Sequence, residues 1–164
     1  MKNIKIVLTK YSDLTAKILY LITGFGYTHV SLSLDGGDDE MYSFNYKGFC
    51  VETAAKHRRK GVMQSKSYCL KISDRAHERL KKRVEYFIAH RDEYRYTKFG
   101  VVCCILGIPF QRKKRYFCSQ FVAEMLAQTG AIRLRKKPAL YLPNHFCREL
   151  AQCAQLLRIQ YNPI

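Results

Sequence analysis

At 164 residues the chain has room for one domain with its own core, and 48% hydrophobic against 26% charged residues excludes a disordered or low-complexity polypeptide. Twenty-nine Lys and Arg against thirteen Asp and Glu leave a net charge of +16. That field attracts anions such as nucleic acid, anionic lipid surfaces or acidic polymers, and it says nothing about fold.

In chain order, residues 5–9 form a short β-rich run. Ser12 or Asp13 caps a predicted helix to Ile22, with Leu14, Ile18, Leu21 and Ile22 on one face, and Gly24 and Gly26 end it. Residues 28–34 alternate polar and apolar, the signature of a half-buried strand. A turn follows at Asp35-Gly36-Gly37-Asp38-Asp39, then strands over 41–46 and 49–52 split by Lys47-Gly48. The polar, basic stretch 53–65 reads as a loop and 67–72 as a strand. Asp74 opens a long helix over about 75–91, with Leu80, Val84, Phe87 and Ile88 on its buried side. A second apolar helix covers about 97–106 and stops at Gly107-Ile108-Pro109. The apolar run 99–110 that contains it is too short to span a bilayer. Helices over 118–128 and from Pro143 or Asn144 to about 153, a basic loop at 133–137, and a last strand over 156–160 complete the chain. No repeat or linker interrupts it, so the expectation is a single α+β domain over 1–164, a small antiparallel sheet packed against helices.

The opening Met1-Lys2-Asn3-Ile4-Lys5-Ile6 reads as a first strand, not an export signal. The expected location is cytoplasmic, where the seven cysteines stay as free thiols. No CxxC pair supports a structural zinc. His145, Cys147 and Cys153 share a helix but lack a fourth ligand at useful spacing, so neither a metal nor another cofactor is expected. His57 falls in the basic 53–65 loop, His77 and His90 on the charged side of the long helix, and all three read as surface residues. The Cys103-Cys104 pair reads as helix core.

One cysteine stands apart. Cys118 follows Arg112-Lys113-Lys114-Arg115-Tyr116-Phe117 and opens a helix. A thiol nucleophile needs a lowered pKa, a base, and donors for the oxyanion formed on a carbonyl. A helix N-terminus lowers the pKa through its dipole and unpaired N–H groups, and the N–H of Cys118 or Ser119 is a candidate oxyanion donor. His29, on its strand after the glycine-rich corner, is the candidate base. Glu52, at the end of a neighbouring strand, is the candidate partner for its second nitrogen, with Asn45 and Ser43 as fallbacks. On spacing alone, Cys118, Phe121, Val122 and Met125 also fit an ordinary buried helix face.

The order Thr28-His29-Val30-Ser31-Leu32, then Gly48-Phe49-Cys50-Val51-Glu52, then Tyr116-Phe117-Cys118-Ser119-Gln120-Phe121-Val122 resembles the circularly permuted papain-like enzymes of the YiiX/YaeF type. These belong to the NlpC-type cysteine peptidase superfamily, together with the lecithin–retinol acyltransferase relatives. The similarity covers roughly residues 4–130 and includes the approach to the His strand over 14–27. It implies a permuted papain-like fold, Cys118 as nucleophile, His29 as base and Glu52 as the third, polar position. Tyr94 and Tyr96 resemble the tyrosine-bearing segment that lines the family's pocket, and Tyr116 and Ser119 flank the nucleophile on the substrate side. The basic coat lies outside the resemblance.

The leading expectation is a thiol hydrolase of the peptidase or amidase kind, acting on an amide or ester of a peptide-like or acyl substrate. Two alternatives stand beside it. One is transfer of the acyl group to a lipid or amine through the same Cys-His pair. The other is a non-enzymatic basic domain that binds polyanions weakly, with Cys118 as core.

Overall fold

The computed structural model describes residues 1–11 and 26–164; the helix expected over 12–22 lies outside the described residues. The chain runs through β1 (Lys2–Tyr11), β2 (His29–Ser33), β3 (Met41–Asn45), β4 (Gly48–Glu52), α1 (Ala54–Arg59), β5 (Val62–Ile72) and α2 (Asp74–Ala89). It continues through β6 (Arg95–Tyr96), α3 (Lys98–Ile105), β7 (Arg115–Tyr116), α4 (Cys118–Gln128), α5 (Pro143–Ala151) and β8 (Leu156–Tyr161). Six strands form one antiparallel sheet in the order β4-β3-β2-β1-β5-β8. This is the α+β arrangement expected, an antiparallel sheet with helices packed on it.

The alternation of strand side chains explains the sheet's layers. Ile4, Ile6, Leu8, Val30, Leu32 and Phe44 are sealed from solvent in one core with Leu80, Val84, Phe87, Phe121 and Val122. The intervening Thr9, His29, Ser31 and Ser33 are also buried, so both faces of the sheet centre are covered. Each fully buried Leu, Val or Phe contributes roughly 1.5–3 kcal/mol. Helix α2 meets this core through Ala76, Leu80, Val84 and Phe87, a single stripe at helical spacing. Helix α4 lies against β2 and β3 and buries all of Cys118 through Leu126.

The expected loop at 53–65 is a correction. Thr53 Oγ1 accepts the Lys56 N–H at 3.1 Å and starts α1, which buries Ala54 and His57 three residues apart. Gly61, at a φ of +72°, turns the chain into β5, which begins at Val62 because it pairs along the whole of β1, from Tyr11↔Val62 to Lys2↔Ile72.

A second, two-stranded sheet pairs β6 with β7 in parallel, Tyr96 opposite Tyr116. It was not expected. The segment between them carries α3. The β3–β4 hairpin presses on this sheet at Gly48, whose φ is +115° and where a Cβ would lie 2.4 Å from the Tyr94 carbonyl oxygen. Only glycine fits there. Among the described residues no helix is long and apolar enough to cross a membrane.

Candidate active site

The start of β2, the end of β4 and the end of α1 meet at Glu52. Pairing of β1 with β2 sets Thr9 opposite His29, and the period of two sets Ser31 on the same face as His29. Pairing of β3 with β4 sets Glu52 opposite Met41 at the last position of β4. The Glu52 Oε2 atom lies 2.7 Å from His29 Nε2 and accepts the Ser31 hydroxyl at 2.9 Å. Lys60, just past α1, donates to Oε1 at 3.4 Å.

Burial alone would keep the Glu52 carboxyl protonated. The positive charge and hydrogen bond of His29, with Lys60 behind them, outweigh burial and hold it well below the usual carboxylate range. The converse holds at His29. Burial disfavours its charge, but the Glu52 carboxylate and a hydrogen bond with Cys118 raise its pKa far above the ordinary histidine value. Glu52 thereby holds the Nε2 edge of the ring and favours its charged form.

Cys118 is the first residue of α4, and Phe117 at the cap position supplies no side-chain acceptor. The first-turn N–H groups therefore remain free of a side-chain cap beside this sulfur. Cys50 is a second thiol near Glu52. Burial and the Glu52 charge push Cys50 up to about 12, which keeps it protonated.

His57 is the residue that sequence reasoning missed. It is 1% exposed, not on a solvated loop. The Tyr11 hydroxyl hydrogen-bonds its Nδ1, and the Tyr11 and His57 rings stack with centroids 6.1 Å apart. Its Nε2 lies 3.6 Å from Glu52 Oε2. Burial lowers its pKa to about 4 against the pull of Glu52, and the His29 charge adds to the lowering. The signal available in the sequence was the pair Ala54 and His57 at helical spacing behind a Thr cap, the two uncharged-face positions of an otherwise basic turn.

The remaining candidates divide. Tyr96 is close enough to Cys118 that, after burial, the thiolate's charge raises its phenol. Ser119 is buried next to Cys118, and its hydroxyl has no hydrogen-bond partner among the described residues. Tyr94 instead packs in the aromatic core, 4.4 Å from the Phe87 ring. The Tyr116 ring packs at a tilt on Phe44, with centroids 5.3 Å apart, and its hydroxyl donates to Glu124 at 3.0 Å. The fallback orienters are occupied elsewhere, Ser43 donating to the Val30 carbonyl at 2.6 Å and Asn45 accepting the Lys47 N–H at 2.9 Å.

All seven cysteines are free thiols, and Cys103 and Cys104 are buried in α3 as expected. His77 and His90 are half-buried rather than exposed: His77 bonds the Leu34 carbonyl at 2.8 Å, and His90 stacks on Tyr86. His145 caps its own helix by accepting the Leu142 N–H at 3.0 Å. Among the described residues no group of three or more His, Cys, Asp or Glu is arranged to hold a metal ion.

No protein-family model matches the chain. No curated protein matches it either.

Proposed function

We propose that the chain is a thiol hydrolase of permuted papain-like architecture that cleaves an amide or ester bond through a covalent Cys118 acyl-enzyme. One observation carries this reading: the 2.7 Å contact of Glu52 with His29, on a strand that packs against the helix whose first residue is Cys118. Structural ion pairs also bury histidines, but they do not require a cysteine at an uncapped helix start.

In this mechanism the Cys118 thiolate adds to the substrate carbonyl carbon. The oxyanion is met by N–H groups of the first turn of α4. The C–N or C–O bond breaks as His29 gives its proton to the leaving amine or alcohol. The neutral imidazole then takes a proton from water, whose oxygen attacks the thioester. The carboxylic acid leaves and loses its proton to solvent, and the thiolate–imidazolium pair is restored. Glu52 holds the ring in position and favours its charged form throughout. The substrates in view are peptide-like amides or acyl esters.

The test is alkylation by iodoacetamide near pH 6, mapped to each cysteine. Cys118 is expected to label fastest of the seven, and His29→Ala to slow it by about tenfold or more. Equal rates at all seven thiols, unchanged by His29→Ala, would sink the proposal.

A further inference from the structure

Helix α3 is apolar on two sides. Its inner side buries Gly100, Cys103 and Cys104, and packs on Phe117 and Leu142. At Gly100 a Cβ would sit 3.3 Å from the Phe117 ring, so the helix lies close against the body. Its outer side has no such cover. Phe99, Val102 and Leu106, spaced by three and four residues along one face, are 62%, 51% and 67% exposed, and Ile108 in the following turn is 53% exposed. The exposed cations Lys98 and Arg112 border this surface, and neither has an ion-pair partner among the described residues. Phe99 and Phe110 meet edge to face at 4.9 Å and form, with Tyr96, Arg112 and Arg115, the wall of an open cleft of roughly 260 Å³.

We infer that this face of α3 and its turn docks on an anionic lipid bilayer. Aliphatic side chains enter the boundary between headgroups and acyl chains, while the bordering cations lie at the level of the lipid phosphates. Helix α3 has eight residues, which fixes the mode as lying on the surface rather than spanning. Charge complementarity selects this occupant. A second copy would bring the same cations against themselves, on a chain of net charge +16. Nucleic acid would satisfy the cations but leave Val102, Leu106 and Ile108 without stacking or hydrogen-bond partners. An anionic bilayer satisfies both. The docked segment joins β6 to β7, and Tyr116 of β7 is two residues before Cys118. Docking therefore brings the start of α4 toward the lipid. The inference stands on exposure and charge, independently of any catalytic role for Cys118.

The test is sedimentation of the full chain with vesicles of phosphatidylcholine alone or with roughly one-third phosphatidylglycerol. Binding to the anionic vesicles is expected to be about tenfold or more stronger, and to weaken as salt is raised from about 0.1 M to about 0.5 M. The double variant Leu106→Ser, Ile108→Ser should lose about tenfold or more of that binding with an unchanged unfolding temperature, since both residues are exposed. Leu157→Ser, exposed on β8, should bind as the parent chain does. Absence of binding to anionic vesicles overturns the inference. So does full binding by the double variant, which marks general charge adsorption. A concentration-dependent dimer abolished by the double variant, without vesicle binding, assigns the face to a second copy instead.

Discussion

His57 Nε2 lies 3.6 Å from Glu52 Oε2, with both side chains 1% exposed. A neutral histidine beside a carboxylate is a polar support, and the bond of Tyr11 to Nδ1 fixes which edge of the ring faces Glu52. When the Tyr11 hydroxyl donates, the ring proton sits on Nε2, toward the carboxylate.

That arrangement has a pH signature. The folded chain does not protonate His57 until about pH 4, whereas an unfolded histidine does so near 6.5. Between these values the unfolded chain binds more protons, so stability falls as pH falls. His29 and Glu52 contribute little to this slope over pH 5–6.5. His29 has a raised pKa, so its contribution is lost only at higher pH; the lowered Glu52 loses its own only below the ordinary carboxylate range. His145 is lowered by burial and adds to the slope with the same sign. His57→Gln should therefore flatten, not abolish, the loss of unfolding temperature from pH 6.5 to 5, by on the order of 1–2 kcal/mol. An unchanged slope shows that His57 is not held neutral.

Glu52→Gln removes the charge that sustains the His29 proton. Alkylation of Cys118 near pH 6 should slow by roughly 10–100-fold, and the loss should shrink as pH rises. A parallel profile at all pH values would show that Glu52 supports the fold but not the thiolate.

Gly48→Ala places a methyl group 2.4 Å from the Tyr94 carbonyl at a φ that side chains rarely adopt. The cost expected is about 2–4 kcal/mol, read as a lowered denaturation midpoint. Because Tyr94 leads into β6, which pairs with β7 two residues before Cys118, the variant should also alter the reactivity of Cys118.

Glu124 gathers three donors: the Tyr116 hydroxyl at 3.0 Å, Arg83 at 3.2 Å and Gln111 at 3.4 Å. Glu124→Ala leaves the Tyr116 hydroxyl buried and unpaired, at a cost of about 2–4 kcal/mol. Adding Tyr116→Phe should restore about 1 kcal/mol, since it removes the orphaned hydroxyl. Strict additivity in denaturant melts would show that the contact carries no coupling.

The sequence exposed most of the frame because hydrophobic period and caps act locally. Helix α4 begins and ends at the residues its pattern indicated, and β2 to β4 follow the alternation and turns of 28–52. His29 and Glu52 were legible for a related reason: a polar residue at the end of an apolar strand needs a partner when buried. His57 was hidden because a single helical turn is too short to display a period, and its four flanking cations look solvated. The packing of Tyr94 and Tyr116 was not legible, for the opposite reason. A tyrosine serves a core as well as a pocket, and only the Glu124 carboxylate, eight residues beyond Tyr116, explains how its hydroxyl is accommodated inside. The β6–β7 pair was invisible because its partners are set by the tertiary approach of β4, not by strand propensity.

Because His29, Glu52 and Cys118 arrive from separate elements, the unfolded polypeptide has seven thiols of ordinary chemistry. If the site works as proposed, selective labelling of Cys118 is a clock for folding as well as a mark of catalysis. Its onset during refolding would time the docking of α4 on the His29 strand, without any substrate being known.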